Sequence, residues 1–133
     1  MDNRKLVLLI DDDTICNTLN KLLIKKIFDN DVEILAYLNA IEAIKFLGDS
    51  LRENLYDKII ILLDLNMPVM DGWEFMDEYR TLPESNSTVF IYILSSSLHK
   101  NDVERASKDP NVIEFLTKPI TIPVLKKLHA LMS

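Results

Sequence analysis

Lys58-Ile59-Ile60-Ile61-Leu62-Leu63-Asp64-Leu65-Asn66-Met67-Pro68-Val69-Met70-Asp71-Gly72 joins an apolar run to a polar, proline-containing turn. Its unbroken apolar run reads as a strand buried on both faces, as in a parallel sheet covered by helices on each side. A carboxylate, Asp64, follows at once. Open α/β folds place their chemistry at that rim, outside the carboxyl ends of the strands. The pattern recurs in Leu6-Val7-Leu8-Leu9-Ile10, followed by Asp11-Asp12-Asp13. Two buried strands therefore deliver several carboxylates to one end of the molecule. Like charges so placed raise one another's pKa and cost stability, unless a cation or a role in chemistry compensates.

On either side of this stretch, apolar runs alternate with amphipathic ones. Lys5 to Ile10 is the first predicted strand. The following helix carries Ile15, Leu19, Leu22, Leu23 and Ile27 on one stripe at helical spacing, which predicts its core-facing side; Asp13 or Thr14 can cap it. Val32 to Tyr37 is the second strand. Ala40 to Leu47 is a short helix stopped by Gly48, and residues 49–57 are polar and predicted to loop. Lys58 to Leu63 is the third strand. Asp71 and Glu74 form a capping box for a helix running to about Thr81, before Pro83. Val89 to Leu94, then Val112 to Leu116, are the fourth and fifth strands, with a helix over Asn101 to Ser107 between them. Ile122 to Met132 is the last helix, with Thr121 as its cap and Pro123 in its first turn.

Strands alternating with helices imply parallel pairing, right-handed crossovers and a three-layer α/β sandwich. For five strands the flavodoxin-like doubly wound order is 2-1-3-4-5, with its switch point between strands one and three. Those are the strands that end in aspartate. At roughly 4.8 Å per strand spacing, Asp64 then has Asp11 and Asp12 on one side and Ser95 on the other. Strand five lies about two spacings, roughly 10 Å, away. Only a long side chain reaches back from there, and Lys118 stands at its end. Acids, a hydroxyl and an ammonium around one carboxylate suit the handling of a phosphoryl group on Asp64. A carboxylate can accept phosphate covalently, positioning and cations stabilise the transfer, and a hard divalent cation such as Mg²⁺ takes carboxylate and carbonyl oxygens. Lys118 is a mobile point charge suited to a phosphate oxygen.

These residues carry a family resemblance. Leu9-Ile10-Asp11-Asp12-Asp13, Leu63 to Gly72, Ser95-Ser96 and Lys118-Pro119, in that order, resemble the receiver (CheY-like) domain of two-component response regulators over essentially the whole chain. The resemblance implies Asp64 as the phosphorylated aspartate. It implies Asp12 as a direct ligand of Mg²⁺ (or Mn²⁺), Asp11 as its acidic partner acting largely through water, and Asn66 as the donor of a backbone carbonyl. Ser95 and Lys118 would contact the phosphoryl group, and Lys118-Pro119 would be cis. Ser95 and Phe115 would be the switch pair, and Phe115, lacking a hydroxyl, would work by ring packing alone. Ser96 stands where alanine is frequent and is still small.

The function expected from this resemblance is a stand-alone phosphoacceptor switch, not an enzyme. A sensor histidine kinase or a histidine phosphotransfer protein would supply the phosphohistidine. The face of helix four, strand five and helix five would meet a downstream protein. Residues 1–133 are expected to form one receiver domain without an output domain. A phosphorylation-independent module on the same fold is one alternative. A phosphatase of the haloacid-dehalogenase type is another, since Asp11-Asp12-Asp13-Thr14-Ile15 loosely mimics its Asp-x-Asp-x-Thr signature. A flavin binder is disfavoured because no Ser/Thr/Gly-rich loop follows strand one.

Composition narrows the classes further. The net charge of −6 disfavours binding to nucleic acid through phosphate neutralisation. A single cysteine, Cys16, excludes an internal disulfide and a cysteine-based metal cluster; its helical pattern places it in the core. No apolar run approaches the roughly 20 residues needed to span a bilayer, and the N-terminus lacks a signal-peptide pattern, so a cytoplasmic location is expected. The plainer readings make Asp13 and Asp71 helix caps, Met67, Met70, Met76 and Met132 packing residues, and Trp73 a cover for the core edge. They make His99 and His129 surface histidines, and Ser97 a cap or turn residue that could tune dephosphorylation.

Overall fold

Strands β1 (Lys5–Ile10), β2 (Val32–Tyr37), β3 (Lys58–Leu63), β4 (Thr88–Ser95) and β5 (Val112–Thr117) alternate with helices α1 (Thr14–Ile27), α2 (Ala40–Arg52), α3 (Gly72–Tyr79), α4 (Lys100–Lys108) and α5 (Ile122–Leu131) in the computed structural model. It describes residues 4–28, 30, 32–96 and 98–133, so the turn expected at Ser97 lies outside the described residues. The strands form one parallel sheet in the order β2-β1-β3-β4-β5. This is the predicted doubly wound, flavodoxin-like arrangement, with β1 and β3 adjacent at the switch point.

The apolar runs of β1 and β3 serve two cores at once. Side chains alternate across a strand, so Leu6, Leu8, Ile10, Ile59, Ile61 and Leu63 face one side. Val7, Leu9, Ile60 and Leu62 face the other. The first core is closed by α2 and α3 through Ala43, Leu47, Phe75 and Met76. The second is closed by α1 and α5 through Ile24, Leu125 and Leu128. Each such side chain, fully buried, contributes about 1.5–3 kcal/mol, which is why the central strands tolerate no polar residue until the rim.

Capping sets where the helices begin. The Asp13 carboxylate accepts from the backbone N–H of Ile15 (2.9 Å) and of Cys16 (3.2 Å). Asn39 accepts from Glu42 N–H at 2.8 Å. Asp71 and Glu74 form the full capping box, and Thr121 accepts from Val124 N–H. His99 precedes α4 without a side-chain cap bond. Only Ala106 of α4 is buried, and polar contacts hold this helix instead. The Trp73 indole N–H donates to Asp102 (3.0 Å), Arg105 stacks 4.4 Å over the Trp73 ring, and Arg80 pairs with the buried Asp109.

Three local expectations are corrected. The helix predicted to stop at Gly48 continues to Arg52. Gly48 is a buried helical position facing Leu82, and the left-handed residue after the helix is Asn54, with φ 51°. The predicted apolar stripe of α1 does not all reach the core: Ile15, Leu19 and Leu22 are 72%, 56% and 56% exposed. Asn17, Asn20 and Ile24 are buried in their place. Both stripes have helical spacing, and the Asn17 side chain, bonded to the Asp11 carbonyl, goes with the buried one. Cys16, expected in the core, is only half-buried. The methionines behave as predicted, with Met67, Met76 and Met132 buried and Met70 packed against the first core.

The two glycines differ in what surrounds them. A Cβ at Gly72 would lie 2.7 Å from the Asp64 carbonyl oxygen and 2.8 Å from Leu65 Cα, both backbone atoms. A Cβ at Gly48 would meet only the flexible end of Leu82, at 3.3 Å. Gly72→Ala is expected to cost about 1–3 kcal/mol through overpacking. Gly48→Ala is expected to be neutral or stabilising by up to about 1 kcal/mol through helix propensity. Urea midpoints of the two variants check this, and equal midpoints contradict it.

Candidate functional site

Three strand ends build the site at the switch point. Asp11 is the first residue after β1 and Asp64 the first after β3. The Asp64 N–H donates to the Ile10 carbonyl (2.9 Å) and the Asp11 N–H to the Tyr37 carbonyl (3.1 Å), so both backbones continue the sheet. Lys118 follows β5, and its N–H donates to the Ser95 carbonyl at 2.8 Å. That register depends on an irregularity in the β4–β5 ladder. Ile91 pairs with Val112, but Tyr92 pairs with Glu114, so Ile113 has no partner on β4. The extra residue bends the strand and brings Ser95 opposite Thr117, with Lys118 next in line.

The Lys118 ammonium reaches back across the rim. Its Nζ lies 2.5 Å from Asp11 Oδ2 and 3.5 Å from Asp64 Oδ2. Both carboxylates are nearly closed to solvent, at 4% and 6% residue exposure, whereas Asp12 is exposed. Carboxylate oxygens of Asp11, Asp12 and Asp64 all lie within 4.8 Å of one another. Burial raises the Asp64 pKa and the Asp11 charge adds to it; the Lys118 ammonium and the Asn66 N–H (3.3 Å) oppose without cancelling. Burial would lower the Lys118 pKa, but its bond to Asp11 and the charge of Asp64 outweigh that and hold it above its ordinary value.

The donor set fits a hard divalent cation. It consists of carboxylate oxygens, the ligands that Mg²⁺ and Mn²⁺ take. Counted formally, three carboxylates and one ammonium leave two negative charges, which one divalent cation would balance.

Asp11, Asp12, Asp64 and Lys118 come together. Ser95 ends β4 and is buried. Asn66 is exposed, two residues beyond Asp64. Phe115 is half-buried opposite Ile93 and packs against the first core. Lys118-Pro119 is cis. Asp13 and Asp71 are caps, as the plainer reading had it. With its carboxylate engaged by two N–H groups of α1, Asp13 is not poised as the second aspartate of a dehalogenase-type signature. His99 is exposed, and His129 is half-buried with its ring 5.0 Å from that of Phe28.

Sequence reading missed the inner face of α1. The Asn17 amide donates to the Asp11 carbonyl (2.9 Å), and the Asn20 amide to Cys16 Sγ (3.5 Å). Burial, then the hydrogen bond to Asp11, pushes the Cys16 thiol up to about 11. Asn17, Asn20 and Ile24, at i, i+3 and i+7, were the available signal.

The sequence matches the response regulator receiver domain over residues 7–130. The chain belongs to that family. It is 29% identical to the regulatory protein VanRB of Enterococcus faecalis over 129 residues, which is 96% of this chain and 52% of VanRB. It therefore spans about half the length of that relative. Among solved structures it is similar to a two-component response regulator from Cytophaga hutchinsonii, with 31% identity, a TM-score of 0.82, and 98% and 97% of the two chains covered. It is also similar to the Mn²⁺-bound form of response regulator Rcp1, with 26% identity, a TM-score of 0.69, and 94% and 88% covered. Receiver domains are regulatory switches of two-component systems that bind Mg²⁺ or Mn²⁺ at an acidic pocket, and this chain has such a cluster in Asp11, Asp12 and Asp64. They interact with histidine kinases or phosphotransfer proteins. No helix among the described residues is long and apolar enough to cross a membrane.

Crowding of buried carboxylates predicts a stability effect. In the presence of a chelator, Asp64→Asn is expected to raise the thermal midpoint by a few degrees, the equivalent of about 1 kcal/mol. Added Mg²⁺ should raise the midpoint of the wild type and not that of Asp64→Asn. Differential scanning calorimetry reads both, and a lower midpoint for Asp64→Asn in chelator contradicts the charge argument.

Proposed function

We propose that Asp64 is the phosphoacceptor of a two-component switch. The observation that carries this reading is the Asp64 carboxylate itself. It is nearly buried, pushed toward a raised pKa and faced by one ammonium at the rim of the sheet. An Asp64 oxygen attacks the phosphorus of a phosphohistidine in line. The new O–P bond forms as the P–N bond breaks, and the departing imidazole takes up a proton. A Mg²⁺ or Mn²⁺ held by Asp11, Asp12, Asp64 and the Asn66 carbonyl supplies charge neutralisation when bound, as the Mn²⁺-bound form of Rcp1 suggests. Lys118 exchanges its Asp11 contact for a phosphoryl oxygen, and the Ser95 hydroxyl donates to another.

The acyl phosphate adds about two negative charges. Ser95 moves toward it, and the half-buried Phe115 ring follows into the space behind. The face of α4, β5 and α5 then changes shape for a downstream protein. The phosphoryl group can shift this equilibrium only by as much as it favours one state over the other. The switch works in the cytoplasm, fed by a sensor histidine kinase or a histidine phosphotransfer protein.

The exposed face of α1 suits the phosphodonor. Ile15, Leu19 and Leu22 are exposed, and with Cys16, Leu23 and Pro119 they line a groove of about 720 Å³. Asp13, the cap of α1, belongs to the same groove, so a helical surface seated there holds its histidine over the rim.

Intact-mass measurement after acetyl phosphate treatment is expected to show one added phosphoryl group, dependent on Mg²⁺. Asp64→Asn should abolish it and Asp13→Asn should not; the reverse pattern reassigns the acceptor. Leu19→Asp should slow transfer from a phosphohistidine donor by about tenfold, the scale of one buried interface anchor, while leaving acetyl phosphate labelling intact. Equal loss in both assays would count against docking on α1.

A further inference from the structure

Asn17 has an unusual place. It is 5% exposed on a helix whose leucines at positions 19 and 22 face solvent. Burying an amide costs about 1–3 kcal/mol unless it is bonded, and a leucine there would fill the core without that penalty. The amide makes a hydrogen bond across six residues, to the Asp11 carbonyl at 2.9 Å, with both groups buried. That carbonyl is half of the Asp11–Asp12 peptide. A peptide unit is planar, so fixing its oxygen fixes the direction in which the chain leaves toward Asp12.

The rest of Asp11 is held independently. Its N–H goes to Tyr37, and its carboxylate takes the Asp13 N–H at 2.9 Å and the Lys118 ammonium. Asp12 is different, for it is the exposed member of the acidic cluster. Its carboxylate gains no orientation from burial; the peptide after it is held through the Asp13 N–H on the Asp11 carboxylate, and the peptide before it through Asn17.

We propose that Asn17 is a positioning residue for Asp12. Its amide locks the Asp11–Asp12 peptide plane and so presents the Asp12 carboxylate to a divalent cation shared with Asp11 and Asp64. This rests on reading the acidic cluster as a cation site. Asn17 touches neither cation nor phosphoryl group and acts only through the peptide it holds. Outer partners of metal ligands affect affinity by about 10–100-fold.

The test uses the full chain, with Mg²⁺ as the probe, at a temperature where circular dichroism shows every variant folded. Asn17→Leu keeps the volume and removes the donor, and Asn17→Ala replaces it if the leucine variant does not fold. Asn20→Leu removes the other buried amide and is the matched control. Titration followed by backbone amide resonances is expected to give a Kd raised about tenfold or more for the Asn17 variant. For the control, a Kd within about twofold of wild type is expected, the size of ordinary non-coupling between sites. In an Asp12→Asn background the Asn17 substitution should add little, because both changes act on one ligand. In metal-free protein the order parameter of the Asp12 amide should fall from the rigid range of about 0.85. An unchanged Kd, a full additive cost in the Asp12→Asn background, or an equally rigid Asp12 amide each overturns the proposal. If the wild type itself does not bind Mg²⁺, the cation-site reading fails, and the amide order parameter still decides whether Asn17 holds the peptide.

Discussion

One ammonium between two buried carboxylates organises this end of the molecule. Lys118 contacts Asp11 and Asp64 together, and each comes from a different strand end. Desolvating three ionic groups is expensive, and mutual attraction offsets it only when the geometry is good. That geometry demands parallel strands in the observed order, a common end point for β1 and β3, and the register shift that advances β5 relative to β4. Even so, Lys118 does not fully compensate Asp64, whose pKa remains raised by burial and by Asp11. The ionised form of Asp64 is therefore disfavoured by its own surroundings. The site is poised to take up positive charge, or to rearrange when its charge changes.

Continuity between the site and distant helices follows from close packing. The N-terminus of α3 lies directly against the Asp64 backbone, which is why no Cβ fits at Gly72. The next residue is Trp73, whose indole holds α4 through Asp102 and Arg105. With only Ala106 buried, α4 has little apolar area fastening it to the sheet. Helices held by polar contacts open at lower free-energy cost than those held by core burial. The Asp64 loop is thus joined through Trp73 to the helix with the fewest buried residues, which packs beside β5.

The strands and the rim acids were legible in the sequence because nothing else fits them. A five-residue apolar run bounded by charge has one reading, and its alternation feeds both cores without further information. The rotation of α1 was not legible in the same way. Ile15, Leu19 and Leu22 mark one helical face and Asn17, Asn20 and Ile24 another. Hydrophobicity favours the first, while the tertiary hydrogen bond to Asp11 belongs to the second. Gly48 misled for a related reason, since glycine stops a helix only where the backbone turns left-handed, and here the backbone stays helical through Arg52. Trp73 announced itself only as an aromatic; its partners, 29 and 32 residues further along the chain, lie beyond any local pattern.

The loop after Asp64 shows how stability and preorganisation are traded at this rim. Val69 has φ 72° and is 85% exposed. The Met70 N–H donates to the Pro68 carbonyl at 3.1 Å, closing a three-residue turn around it. A γ-turn with positive φ is the rare, strained hand, and a β-branched residue there is an outlier on steric grounds. No burial offsets the strain, so its cause must lie on either side. Met67 is buried before the turn, and Asp71 caps α3 after it. The connection is pinned at its far end as well, since the Gly72 N–H donates to the Leu65 carbonyl at 3.0 Å, so the strained residue sits in a short loop closed back onto the residue after Asp64.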